Sequence, residues 1–185
     1  GLVLLAWAIP HPATAAPSAT KPAVTPVERQ AMTLYQAAEY SRVLELLQQI
    51  PAGQQPALEL LRYGILSHLK LGKPEEAWKL YTKLVAGNRP DEPAVLRDIA
   101  RSFIVTRVRD TQEHIRIAAY TALAEMGESD TLPILEDGLL DSSALVRARA
   151  AEAIGRAGLA GRSSALKRAL RDEAPGVRIA AINAL

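Results

Sequence analysis

The sequence predicts an all-α protein, an α-solenoid of stacked antiparallel helical hairpins. Three observations carry that expectation. Asp110, Asp141 and Asp172 lie 31 residues apart, and each is followed six residues later by an arginine, Arg116, Arg147 and Arg178. The same period returns Ile104, Leu135 and Leu166, then Val108, Leu139 and Leu170, then Ala119, Ala150 and Ala181, then Leu123, Ile154 and Leu185. A repeat of roughly 20 to 50 residues marks supersecondary units that bury a continuous core only by stacking on neighbours. Finally, the 49% of hydrophobic residues are mainly Ala and Leu, with 4% aromatics, and such side chains lose little freedom on entering a helix.

From the N-terminus, residues 2–9 read LVLLAWAI and residues 13–16 read ATAA. An apolar run leading into small residues resembles a secretory signal peptide. As a helix the run spans about 12 Å, well short of the roughly 20 residues that cross a bilayer. The chain starts at Gly1 without a basic segment or initiator Met, so residues 1–16 are read as a signal peptide remnant, cleaved near Ala15 or Ala16. A periplasmic or secreted location follows, and membrane association is not expected after leader cleavage. Residues 17–26 hold three prolines among Ala, Thr, Ser and Lys, the composition of a disordered linker.

Over residues 27–93 a second period appears, with Val43 and Ala77, Leu47 and Tyr81, Ala38 and Gly72, and Pro56 and Pro90 each 34 apart. The clearer copy, LLRYGILSHLKLGKPEEAWKLYTKLV, resembles a tetratricopeptide repeat at Gly72, Ala77 and Tyr81 and departs from it at Gly64, Ile65 and His68. The earlier copy, AMTLYQAAEYSRVLELLQQIP, is weaker. This resemblance implies helical hairpins whose groove offers a surface around Tyr63, Lys70 and Tyr81.

Residues 94–185 carry the 31-residue unit. The second helix of each unit has an apolar face, Ile115, Ala119, Ala122, Leu123 and Met126, then Val146, Ala150, Ala153, Ile154 and Ala157, at the spacing of one helical side. First helices are expected to bury Ile99, Phe103 and Ile104, then Leu132, Leu135 and Leu139, then Leu166 and Leu170. Gly127 and Gly158 fall where a left-handed residue ends a helix. The next glycine of that column would lie four residues past Leu185, so the unit is read as truncated at the C-terminus.

The segments VRDTQEHIRIAAYTALAEMG, LLDSSALVRARAAEAIGRAG and LRDEAPGVRIAAINAL resemble HEAT repeats, in particular the short phycobilisome-lyase-type HEAT-like form. That resemblance implies stacked hairpins and a structural ladder in which Asp110, Asp141 and Asp172 meet Arg116, Arg147 and Arg178 of the same or the next unit. It implies no chemistry of its own, because one fold hosts many tasks.

Composition narrows the function. The net charge is +2, and residues 1–110 hold 13 Lys/Arg and 10 Asp/Glu against 9 and 10 in the remainder. No block of like charge marks a nucleic-acid face. Arg97, Arg101, Arg107 and Arg109 form the most cationic stretch, without the interleaved aromatics that stack on bases. Cys is absent, which removes thiolate metal sites and cysteine nucleophiles. Of three histidines, His11 lies in the leader, His68 reads as a packing residue, and His114 has no equivalent at position 145 or 176. Neighbouring carboxylates such as Glu75 and Glu76 diverge on a helix surface. No enzyme activity, small-molecule cofactor or nucleic-acid partner is expected.

Recognition by surface remains. Positions 118, 121 and 125, repeated at 149, 152 and 156 and again at 180 and 183, share one side of the second helices. They place Thr121, Glu125, Arg149, Glu152, Arg156 and Asn183, with Tyr120 at the margin, as candidates for binding a protein or peptide. The sequence thus reads as a non-catalytic exported scaffold or adaptor. The alternative is the recognition arm of a longer enzyme whose catalytic domain lies beyond residue 185.

Overall fold

The computed structural model of the protein describes residues 25–86 and 91–185. The expected leader, and the expected linker up to residue 24, lie outside the described residues. Among those described there are ten α-helices and no strand: α1 (Pro26–Gln36), α2 (Tyr40–Gln48), α3 (Leu58–Lys70), α4 (Pro74–Val85), α5 (Pro93–Arg107), α6 (Glu113–Met126), α7 (Leu132–Gly138), α8 (Ala144–Arg156), α9 (Ser164–Ala169) and α10 (Pro175–Ala184). Each packs chiefly on helices close to it in sequence, which makes the fold an all-α solenoid.

Local chemistry sets the helix boundaries. Thr25 opens α1 with a capping box, its Oγ1 accepting from the Glu28 N–H and its N–H donating to Glu28 Oε2, so two otherwise unpaired donors are satisfied. Ser143 and Ser163 accept from the first-turn N–H groups of α8 and α9. Gly127 and Gly158 end α6 and α8 with φ of 62° and 69°, where L-residues with a Cβ are disfavoured. The same turn recurs 34 residues apart after α1 and α3. Glu39 N–H donates to Leu34 O and Lys73 N–H to His68 O, both at 2.9 Å. At the centre of these turns stand Gly72, φ 68°, and Ala38, φ 58°.

The core falls into three clusters along the stack. Ala31, Leu34, Val43 and Leu60 join α1 to α3. Leu61, Ile65, Ala77, Tyr81, Leu84 and Ile99 join α3 to α5. The largest cluster runs from Val108 to Ala181 through Leu123, Leu135, Val146, Ile154 and Leu166. The second-helix set from α8 is buried through Val146, Ala150, Ala153 and Ile154, whereas Ile115, Ala122 and Met126 of α6 are half-buried. First helices bury less than the column suggests. Phe103 and Ile104 are half-buried and Leu170 is exposed, although Val108 and Leu139 of its column, which also stand just past their helices, are buried.

One packing pair departs from the repeat. Tyr120 is buried against Gly138, where an added Cβ would lie 2.6 Å from Tyr120 Cζ and 2.8 Å from Ala150 Cβ. The corresponding positions one unit on are Ala151 and Ala169, both buried. A large and a small residue thus replace two small ones across the same interface.

Two outcomes test these readings. Gly→Ala ordinarily stabilises a helix by up to about 1 kcal/mol. Gly138→Ala is expected instead to destabilise by about 1–3 kcal/mol through overpacking, and to cost less, though not nothing because Ala150 Cβ stays close, in a Tyr120→Ala background, as read by a double-mutant cycle in urea. Ala38→Gly, which relieves a left-handed alanine, is expected to raise the unfolding midpoint by an amount worth about 1 kcal/mol.

Candidate functional site

The repeated side chains gather along two edges of the stack. At the N-terminal edge of α6, α8 and α10 each aspartate closes the turn before its helix, accepting from the N–H two residues on: Gln112 to Asp110 at 3.0 Å, Ser143 to Asp141 at 2.8 Å, Ala174 to Asp172 at 2.9 Å. Arg116 and Arg147 bridge units. Arg116 Nη1 donates to the Asp110 and Thr111 carbonyls of its own turn, at 2.9 and 3.3 Å, while Nε and Nη2 reach Asp141 of the next unit at 2.8 and 2.9 Å. Arg147 repeats the pattern, with Nη1 on the Asp141 and Ser142 carbonyls and Nε and Nη2 on Asp172, both at 2.9 Å. Arg178 Nη1 holds the Asp172 and Glu173 carbonyls at 2.9 and 3.0 Å.

These fork-to-fork pairs are charge-assisted and geometrically fixed. Their side chains are 10–14% exposed. The Arg147 hydrogen bonds hold the Asp172 carboxyl below the usual aspartate range against the opposing effect of burial, helped by the Ala174 N–H. Burial also pushes Asp141 up, but the Arg116 hydrogen bonds and the Ser143 N–H outweigh it and the net direction is down.

Beneath this edge lies a cleft of about 760 Å³ between the α5–α6 turn and the α7–α8 turn, walled by Val105, Ile134, Leu140 and Tyr120 and rimmed by Arg109 and Asp137. Burial, with Asp141 and Asp137 nearby, raises the Tyr120 hydroxyl to about 12, so it stays protonated at physiological pH. Sequence reasoning set Tyr120 at the margin of the binding strip, and the structure corrects that placement. The side chain is 3% exposed, because position 120 turns toward α7 rather than along the strip.

The other candidates do lie at the surface of α6, α8 and α10. Glu125 meets Arg156 across one repeat at 3.2 Å, Arg156 approaches Glu152 at 3.8 Å, and Arg149 pairs with Glu152 at 2.6 Å. Thr121 donates back to the Ile117 carbonyl at 2.9 Å, and Asn183 is exposed while Ala180, three residues earlier in α10, is buried. The strip is therefore one chain of alternating charges, paired within the molecule.

Around the N-terminal hairpins, Tyr63 is half-buried beside Tyr35 with ring centroids 5.5 Å apart, Lys70 is exposed, and Tyr81 is buried with its hydroxyl accepting from the Glu92 N–H at 3.2 Å. Lys70 and Tyr35 line a groove of about 390 Å³ with Asp98 and Arg101. Three arginines of the cationic stretch are paired within the molecule: Arg101 bonds Glu128 and Asp130, Arg107 lies 3.5 Å from Asp110 and Arg109 3.8 Å from Asp137. Burial lowers the His68 imidazole, and no cluster able to hold a metal ion occurs among the described residues.

Stacked hairpins joined by a seam of arginine forks define a helical-repeat scaffold. Residues 96–155 match the family model described as HEAT repeats. No curated protein matches the chain.

The seam and strip differ in energy, and substitutions separate them. Arg147→Ala strands a nearly buried carboxylate and is expected to cost about 2–3 kcal/mol, whereas Arg156→Ala, in an exposed pair, should cost less than about 1 kcal/mol. Chemical denaturation of both variants checks the ranking. A depressed folded pKa contributes stability that is present above the unfolded aspartate value of about 3.9 and is lost as pH falls through the lower folded value. Asp172→Asn is expected to remove part of that acid-side loss, seen as a shallower fall of the unfolding midpoint with decreasing pH.

Proposed function

We propose that the protein is a non-catalytic scaffold, exported to the periplasm or secreted, that holds a protein or extended peptide along the α6–α8–α10 strip. Stacked HEAT repeats generally mediate protein–protein interaction, and this reading extends that general role to a named surface. The observation that carries it is the Glu125–Arg156–Glu152–Arg149 chain, in which exposed charges of both signs alternate across the unit boundary. Exposed pairs of this kind are worth about 0–1 kcal/mol each, so a partner with alternating charges displaces them at little cost and gains steering from the same field. Thr121 and Asn183 extend the strip at its two ends, while the Asp110, Asp141 and Asp172 ladder with Arg116, Arg147 and Arg178 serves stacking rather than the partner.

In this reading residues 1–16 are the remnant of a leader, the linker expected over 17–26 ends before the Thr25 cap of α1, 27–93 is a tetratricopeptide-like region and 94–185 HEAT-like units of the phycobilisome-lyase type. Export is supported by the apolar run and the small residues that follow it. The shallow grooves of the N-terminal hairpins supply a second surface for the same partner.

Photocrosslinkers at Thr121 and Asn183, introduced in the native cells, test the proposal. One protein is expected to crosslink at both positions, to be lost when Arg149 and Arg156 are both changed to Glu, and to be absent from a crosslinker at Arg171 in the turn between α9 and α10. Equal capture from all three positions, or none, overturns the strip as the binding surface. The intact mass of the mature protein is expected to show residues 1–16 removed.

A further inference from the structure

Gly64 and His68, one turn apart on α3, underlie a groove between α2 and α4. A Cβ on Gly64 would clash with Leu47 Cδ1 and lie 3.1 Å from Leu80 Cδ1, so the missing side chain lets a leucine of α2 and one of α4 settle onto the same stretch of α3. Both leucines stay half-buried. With Leu61 they floor a groove of about 370 Å³, which shares Leu47, Pro56, Leu61 and Lys83 with an adjoining hollow of about 460 Å³ beside the α2–α3 loop. Neither part shares a lining residue with the groove of Tyr35, Lys70, Asp98 and Arg101.

The charge of this groove has one sign. Lys73 and Lys83 stand exposed on its lining, neither forms an ion pair among the described residues, and no carboxylate lines either part. Glu76, the acid whose charge His68 feels, is taken up by Lys79 at 2.6 Å. In the seam and the strip, by contrast, cations are paired with acids of the molecule itself. His68 Nδ1 is enclosed and makes no hydrogen bond among the described residues, and burial lowers the imidazole pKa. At neutral pH the ring therefore brings contact area, and the two lysines bring the charge. Exposed Gln48 and Gln54 add side-chain amides at the margin that can bond a peptide backbone.

We propose that the α2–α4 groove docks an acidic segment of a partner protein, with an aliphatic side chain on Leu47, Leu61 and Leu80 and carboxylates reaching Lys73 and Lys83. Charge complementarity selects this occupant. An apolar floor alone would take any hydrophobic segment, whereas two uncompensated ammonium groups draw an acidic one and repel a basic one. Spacing narrows it further. Lys73 and Lys83 are ten residues apart in sequence along α4, about 15 Å of helix, which an extended segment spans with about four or five residues. The surface is separate from the α6–α8–α10 strip, and the proposal does not rest on that strip.

A display library of short random peptides, panned on the whole chain, tests it. Enriched peptides are expected to carry two acidic residues about four or five positions apart with Leu, Ile or Met between them. A labelled copy of the best binder should lose at least roughly tenfold in affinity for the chain carrying Lys73→Glu with Lys83→Glu. It should lose at least roughly tenfold when its own aliphatic residue becomes Ser. Both lysines are exposed, so the doubly substituted chain is expected to melt as the parent does. The peptide should bind unchanged to the chain with Arg149 and Arg156 both changed to Glu, which separates this groove from the strip.

Enrichment of basic or uncharged peptides, no enrichment, or equal binding to the doubly substituted chain overturns the proposal. So does lysine-dependent binding of phosphatidylglycerol vesicles in place of any peptide, since the groove would then serve a membrane. Sedimentation of the chain as a dimer that Lys73→Glu with Lys83→Glu dissociates also overturns it, in favour of a second copy.

Discussion

Arg116 and Arg147 each serve two units at once, and the register of the helical stack depends on that division of labour. One nitrogen closes the turn of its own unit by binding two carbonyls, and the remaining edge binds the neighbour's aspartate. The aspartate in turn orders the turn in front of the next helix, so a change at Arg147 is felt in both directions. A surface ion pair contributes little to stability, but one whose members are also tied to backbone groups fixes geometry as well as energy.

Around that seam the packing is made of small residues. Ala119, Ala150 and Ala181 are buried in successive second helices, and their size lets helices approach closely. The stack tolerates one exception, Tyr120, because Gly138 yields the space. Apolar burial then supplies the bulk of the stabilisation, and the arginine forks select the register among the several ways in which alanine-rich helices could slide. The outward sides of α6, α8 and α10 are left free of both tasks and carry the charges on which the proposed scaffold role rests.

The periodicity made the fold class legible, since a 31-residue column can arise from stacked hairpins and hardly otherwise. It located Asp110, Arg116 and their copies but left open whether a pair forms within a unit or between units. That choice depends on how Arg116 turns about its own helix end, which spacing does not encode. Tyr120 was misplaced because only one apolar side of the second helices was read. The side containing 120, 151 and 182 is equally buried wherever another unit follows, and the change from Tyr to Ala to Ile hides the column. The pairing of Glu125 with Arg156 could have been found, since they stand 31 residues apart with opposite charge. Ala38 and Gly72 shared a column in the sequence, and their shared positive φ gives the physical reason.

The two edges of α6 and α8 are held by very different forces. Arg116 and Glu125 stand nine residues apart in α6, which places them about 14 Å apart along the helix axis. At one end, buried forks pin adjacent units. At the other, a solvated pair between Glu125 and Arg156 closes the gap under full ionic screening. An array fastened this way opens like pages bound along one spine, with the free edges splaying as salt weakens their attraction. Small angles at each boundary add along the stack, so the reach of the outer surface is set at its least stable contacts while the order of the units is kept by the firmest.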